Sequence, residues 1–295
     1  MSGLPVPTLQ RRAEARQDPD WLREARADPA TRYLVAHGTA HLIRHQPQTE
    51  IAFLGADQLA LAAVDASHLL LLGWFRGRRC VLVDNPPGEP ILLPGAVYEE
   101  LRPLLPQLAA DEAELLSYAR ALGIWRSRQR FCGVCGSPTQ ARSAGHVLAC
   151  TNSECGAEFF PRIDPAIIVL VTDGTRALLG RQKSWPAGRY SALAGFVEVG
   201  ESLEQAVARE VEEETSTRVD SVRYFASQPW PFPASLMLGF HAHAQQGPVQ
   251  LDGELEDSRW FELAELRSGA AALLPPPFTI ARRLIDAWFQ QQSNS

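Results

Sequence analysis

Four cysteines within 24 residues set the strongest limit on how this chain can fold. The pattern is Cys132-x2-Cys135, then fourteen residues, then Cys150-x4-Cys155. Two close pairs allow two tight turns, each offering two thiolates to one tetrahedral ion. Gly133, Gly136 and Gly156 permit those turns. The surrounding segment, Phe131–Pro161, has little apolar periodicity and cannot bury a core of its own, so it needs a staple, which a metal supplies. Four cysteines fill every coordination position, so the expected ion is a structural Zn2+ rather than a catalytic one. His146 is a possible substitute ligand but reads better as a surface residue. Cys80, beside Arg78 and Arg79, reads as a strand residue.

This zinc ribbon, placed at residues 127–161, separates two larger regions: 1–126 and 162–295. The first forty-odd residues carry little regular pattern. From there to Trp125 the chain reads as a small α/β domain, a candidate for dimerisation or substrate support. His68–Phe75 and Cys80–Val83 are β-type runs joined by Arg76-Gly77-Arg78-Arg79. Asp111 and Glu114 have the spacing of a capping box that opens a helix running to about Gln129. After Pro161, Ala166–Val171 is a continuous apolar strand. Thr172-Asp173-Gly174-Thr175 turns it back into Ala177–Gly180. A Gly-containing loop, Leu193–Glu201, leads to a helix from Leu203 to Thr215. Further strands are expected at Val222–Ala226, Leu236–Ala244 and Arg259–Glu262, with a last helix over about Thr279–Gln290. The pattern predicts an α+β class, with a mixed sheet flanked by helices.

Carboxylates crowd the middle of that last region. Ser202 is a good helix cap with Gln205 three residues on. Glu210 and Glu214 stack one turn apart, and Glu213 borders the same patch. Like charges this close repel, and a hard divalent cation such as Mg2+ or Mn2+ reverses the cost. Arg209 is placed to pair with Glu201 or Glu198 and hold the loop to the helix. An EEE run taken alone favours a solvated acidic face; Gly195, six positions before Glu201, adds a backbone that can be approached closely.

The whole string resembles the Nudix box, Gly-x5-Glu-x7-Arg-Glu-U-x-Glu-Glu-x-Gly-U with U aliphatic. Gly195, Glu201, Arg209, Glu210, Val211, Glu213 and Glu214 match. Ser216 and Thr217 depart from it, and Ser216 stands where glycine ordinarily ends the helix in a left-handed turn. A later array, Ser227-Gln228-Pro229-Trp230-Pro231-Phe232-Pro233-Ala234-Ser235, resembles that of the NADH pyrophosphatase (NudC-type) branch. By itself the array reads as a buried Pro-rich turn; with the resemblance, its prolines fix a rigid, hydrogen-bond-poor ribbon whose Trp230 and Phe232 offer surfaces for a nicotinamide or adenine ring to stack on. The resemblance runs from about Cys132 to Phe289.

The resemblance implies a C-terminal Nudix α/β/α sandwich and a homodimer using two or three Mg2+ or Mn2+ ions. It implies hydrolysis of the pyrophosphate bond of NADH or NAD to nicotinamide mononucleotide and AMP, and removal of NAD caps from RNA 5′ ends. It carries the metal ligands onto Glu210, Glu213, Glu214, the Ala194 carbonyl and Glu254, with Glu213 as ligand or water-orienting base. Substrate contacts fall on Phe160, on Gln228 through Ser235, and on Ala281.

A net charge of −6 argues against a dedicated nucleic-acid binder, and so against a zinc-ribbon RNA-binding protein. No run approaches the roughly 18 apolar residues that span a bilayer. Neither a secretory signal nor a peroxisomal tail is legible, so a cytoplasmic enzyme is expected. The competing readings are a hydrolase of other nucleoside diphosphate derivatives, such as ADP-ribose, and a catalytically inactive Nudix-like binding module.

Overall fold

The computed structural model describes residues 8–85, 88–245, 247–251, 253–269 and 272–293. They form two compact units, residues 1–162 and 163–295. Among the described residues no helix is long and apolar enough to cross a membrane.

In the first unit, Leu69–Phe75 and Arg78–Asp84 form a hairpin. Its two-residue turn, Arg76 and Gly77, takes φ of 48° and 76°. Positive angles at both positions match the twist of the flanking strands. Arg32–His37 runs parallel to Arg78–Asp84, and Ala40–Arg44 and Ala96–Glu100 extend the seven-stranded sheet. The first forty residues, expected to be unpatterned, contain the helix Trp21–Ala27 and this Arg32–His37 strand. Tyr33, Leu34, Val35 and Ala36 are all buried. A strand covered on both faces shows no alternation, so period two gave no signal there.

Two further expectations for this unit are corrected. The long helix spans Ala110–Arg128 and starts without a side-chain cap. Asp111 instead binds the Arg76 guanidinium at 2.7 and 2.8 Å. His146 is buried rather than at the surface, and its Nε2–H donates to the Leu71 carbonyl at 2.7 Å. Burial holds its pKa down to about 4. Cys80 is buried within Arg78–Asp84, and burial pushes its thiol up.

The second unit is built around Asp164–Thr172. This strand pairs parallel with Ser235–Ala244 and antiparallel with Arg176–Arg181 and Leu193–Phe196. Val219–Trp230 and Asp257–Glu262 lie at the two edges, which makes a mixed sheet. Successive strand residues face opposite sides. Ile167, Val169 and Val171 pack with Ala206, Val207 and Val211 of the helix Leu203–Thr215. Ile168 and Leu170 pack with Leu284, Ile285 and Trp288 of the helix Ile280–Ser293. An unbroken apolar run therefore needs a helix on each face, and the unit is an α/β/α sandwich. Each fully buried aliphatic side chain contributes about 1.5–3 kcal/mol.

Local differences from the sequence reading have local causes. Leu193–Phe196, expected in a loop, is a short strand because the central strand offers it a ladder. In the 173–176 turn only Gly174 has positive φ, 105°. The Asp173 carboxylate holds the turn by accepting from the N–H groups of Thr175 and Arg176 at 2.9 and 2.7 Å. Ser227–Trp230 is not a hydrogen-bond-poor ribbon but the end of the twelve-residue strand Val219–Trp230, in register with Ser235–Leu238.

Candidate active site

The glutamate helix begins as its sequence dictates. Ser202 Oγ accepts from the Gln205 N–H at 3.2 Å, and Gln205 Oε1 accepts from the Ser202 N–H at 2.8 Å. This reciprocal cap sets the helical phase. With Ala206, Val207 and Val211 fixed in the core, Glu210 and Glu214 must lie at its border, where they are 8% and 5% exposed. Glu213 turns outward, with its side chain 55% exposed. The helix ends at Ser216 in the left-handed region, φ 56°, with its N–H bonded to the Glu212 carbonyl at 2.8 Å.

Arg209 organises the acids. Its guanidinium binds both oxygens of Glu201 at 2.6 and 3.0 Å. It also reaches Glu210 at 3.0 Å, Glu213 at 2.9 Å and the Phe196 carbonyl at 2.9 Å. One cation thus ties the loop before the helix to three carboxylates. The expected partner Glu201 is found. Glu198 instead donates its backbone N–H to Glu201 Oε2 at 3.0 Å. Hydrogen bonding from Arg209 holds the Glu201 carboxyl below its usual range, and the same contacts push Arg209 up. Glu210 moves the other way: burial raises its pKa against the pull of Arg209, with Glu213 and Glu254 adding repulsion. Glu254 is therefore near enough for its charge to act on Glu210.

Gly195 shows why this site tolerates no side chain there. A Cβ at Gly195 would lie 1.8 Å from the Glu210 carboxyl carbon and 1.9 and 2.1 Å from its oxygens. The glycine makes room for a carboxylate, a reason the sequence did not supply. Ala194, whose carbonyl is a candidate ligand, precedes it in the same strand. Hard oxygen donors gathered at the end of a strand and along one helix fit Mg2+ or Mn2+. Phe196 follows directly and is 59% exposed. Sequence reasoning passed over this aromatic, although its place inside the Nudix box between Gly195 and Glu201 was a usable signal.

The aromatic array stands in the same unit. Trp230 and Phe232 meet edge-to-face at 5.1 Å and 68°. Pro231 is buried and Pro229 is exposed. Pro229 and Trp230 pair with Leu236 and Ser235, and the Ala234 carbonyl accepts from the Asp164 N–H at 2.9 Å. Gln228 directs its amide at the backbone of Phe278 and Ile280. Ala281 is buried in the core cluster of the last helix. Phe160 belongs to the first unit and is 63% exposed.

The four cysteines of the first unit converge. Their sulfurs all lie within 4.8 Å of one another. The Sγ atoms of Cys132 and Cys155 are 3.7 Å apart, and those of Cys135 and Cys150 are 3.4 Å apart. Gly136 and Gly156 close the two knuckles with φ of 77° and 61°. Hydrogen bonds from Ser137 hold the Cys135 thiol down to about 6, whereas burial pushes the Cys150 thiol up to about 12. The sulfur set fits Zn2+ with no open position.

Three family models match the chain in succession. They are an NADH pyrophosphatase-like rudimentary NUDIX domain over residues 30–125, an NADH pyrophosphatase zinc ribbon domain over 127–160, and a NUDIX domain over 162–289. The NAD-capped RNA hydrolase NudC of Stutzerimonas stutzeri is 44% identical over 215 residues, covering 70% of this chain and 75% of its own. That of Mycobacterium bovis is 40% identical, covering 83% of this chain and 90% of its own. The NAD-capped RNA hydrolase NUDT12 of Macaca fascicularis is 32% identical, covering 97% of this chain and 73% of its own. With the glutamate helix, the glycine-backed carboxylate and the cysteine cluster, these matches identify the chain as a Nudix hydrolase of the NudC-type NADH pyrophosphatase family.

Proposed function

We propose that this chain hydrolyses the pyrophosphate bond of NADH and NAD, giving nicotinamide mononucleotide and AMP, and removes NAD caps from RNA. The observation that carries the reading is the gathering of Glu201, Glu210 and Glu213 about one arginine, with Glu214 buried beside them and Gly195 clearing space for Glu210. Glu210, Glu213, Glu214, Glu254 and the Ala194 carbonyl would hold the divalent ions. Bound there, Mg2+ or Mn2+ supplies neutralising charge for the pyrophosphate and acidifies water.

The chain's own residues set the geometry. Arg209 fixes Glu210 and Glu213 relative to the Phe196 backbone, so the acids are positioned before substrate arrives. Glu213, the most exposed of the three helix acids, serves as ligand or as acceptor of the water proton. Trp230 and Phe232 supply aromatic surfaces for the rings of the dinucleotide; Phe160, carried over from the family as a substrate contact, is an exposed ring of the first unit. Gln228–Ser235 and Ala281 frame that surface. Cys132, Cys135, Cys150 and Cys155 hold Zn2+ in a structural role. We further read the working form as a cytoplasmic homodimer.

The test is product analysis with NADH and NAD-capped RNA side by side, in Mg2+ and in Mn2+. Release of AMP and nicotinamide mononucleotide from NADH, and of a 5′-monophosphate RNA from the capped transcript, is expected. Metal-loaded protein that leaves both substrates intact would refute the assignment. Faster cleavage of ADP-ribose than of NADH would transfer it to the other nucleoside diphosphate derivatives. Light scattering after size exclusion decides the dimer.

A further inference from the structure

Gln228 lies where the strand Val219–Trp230 meets the start of the last helix, Ile280–Ser293. Its Nε2 donates to the Phe278 carbonyl at 2.8 Å, and its Oε1 accepts from the Ile280 N–H at 2.7 Å. Both ends of one amide grip a single backbone turn, 50 and 52 residues away in sequence. The turn is otherwise held by Thr279, whose Oγ1 accepts from the Arg282 N–H at 3.3 Å and donates to the Pro276 carbonyl at 2.8 Å. Gln228 and Thr279 thus satisfy two first-turn donors of the helix, the Ile280 and Arg282 N–H groups, which have no partners within it. The packing leaves little slack: a Cβ on Gly239 would lie 2.7 Å from Ile280 Cδ1.

We propose that Gln228 is a positioning residue, which acts on dinucleotide binding through the Phe278–Ala281 turn that its amide locks rather than through a bond of its own to substrate. This rests on the function proposed above. Two residues after Gln228 comes Trp230, and one residue after Ile280 comes Ala281. The clamp therefore fixes the register between the aromatic array and the helix start, the two separate segments that frame one substrate surface. Turning the amide toward a ligand would break two good hydrogen bonds and strip the Ile280 N–H of its acceptor, each loss costing free energy. The amide is more useful left in place.

The test compares Gln228→Met, which keeps the length and removes both bonds, with Gln228→Glu, which keeps the acceptor for Ile280. Steady-state NADH hydrolysis with Mg2+ gives KM and kcat, and amide hydrogen exchange at Ile280 is followed without substrate. For Gln228→Met, KM rises about tenfold with kcat within about twofold, and Ile280 exchanges at least about tenfold faster. Gln228→Glu restores Ile280 protection, and its KM falls between. A raised KM with unchanged Ile280 exchange would overturn the proposal in favour of direct contact. An unchanged KM with faster exchange would overturn it in favour of a purely structural bond. Wild-type protein that hydrolyses no NADH would sink the functional reading and the substrate half of this proposal, while faster Ile280 exchange in Gln228→Met would still support the clamp.

Discussion

The two units each carry an acid-bearing helix, and the contrast between them shows what turns acidic residues into a site. In the first, the helix Ala110–Arg128 places Asp111 and Glu112 against Arg76. Glu112 also accepts the Ile51 N–H at 3.1 Å, and at the other end of the helix Arg126 meets Asp84 at 3.0 Å. These carboxylates meet arginine or backbone and hold the unit together. In the second, Glu201, Glu210 and Glu213 share Arg209, while Glu214 is buried alongside and Glu254 presses on Glu210. The match of the first unit to a rudimentary NUDIX domain sharpens the point. Acids alone do not distinguish the two helices. A local excess of carboxylate, with a glycine clearing space for it, does.

The comparison breaks first at Glu214. Glu214→Gln keeps size and hydrogen-bonding capacity while removing a charge from the crowded helix. Turnover of NADH falls on the order of a thousandfold, about 4 kcal/mol of barrier, with circular dichroism unchanged. Near-normal kcat would mean that this helix is no more catalytic than its counterpart in the first unit.

Gly195→Ala probes the space beside the acids. The added methyl carbon would meet the Glu210 carboxylate at 1.8 Å. That carboxylate is the far end of a flexible side chain, so it swings aside and the fold survives. NADH turnover drops roughly a hundredfold, about 3 kcal/mol, while the unfolding midpoint moves little. Full activity in the alanine variant would show that Glu210 works from another position.

The same contrast explains how much could be read beforehand. The helix Leu203–Thr215 was legible because its cap, apolar phase and acids sit close together in sequence. The zinc module was legible because two cysteine pairs fix a geometry with few alternatives. Arg32–His37 was not, since Tyr33 through Ala36 are buried on both faces and lose their alternation. His146 was misplaced because its partner, the Leu71 carbonyl, lies 75 residues away. The reach of Gln228 to Phe278 and Ile280, and the nearness of Gly195 to Glu210, are tertiary facts with no local trace. The sequence identified the residues that carry charge; their neighbours across the fold required coordinates.

Glu112→Gln makes the matched change in the first unit. The new amide can still accept from the Ile51 N–H, but its NH2 would point a donor at Arg76. Stability in urea falls by about 1–3 kcal/mol, the range for a spoiled buried hydrogen bond to a charged group, and kcat stays within about twofold. A large loss of kcat at equal stability would erase the division of labour between the helices.

The smallest expected effect concerns how helices end. The six-residue helix Leu263–Ser268 closes on Gly269 with φ 68°, whereas the glutamate helix closes on Ser216 with φ 56°. Glycine has no Cβ to strain in that region; serine does. Thr215 and Thr217 are buried on either side, so the chain cannot relax out of the turn without moving core. Ser216→Gly keeps the backbone N–H bond to Glu212 and removes the strain, against some gain of freedom in the unfolded chain. The net is a stabilisation of about 0.5–1 kcal/mol, measured as a higher urea midpoint with unchanged slope. NADH turnover stays the same, because Glu210, Glu213 and Glu214 lie upstream of the turn. A destabilised glycine variant would mean that the Ser216 side chain holds the helix end through contacts beyond its backbone.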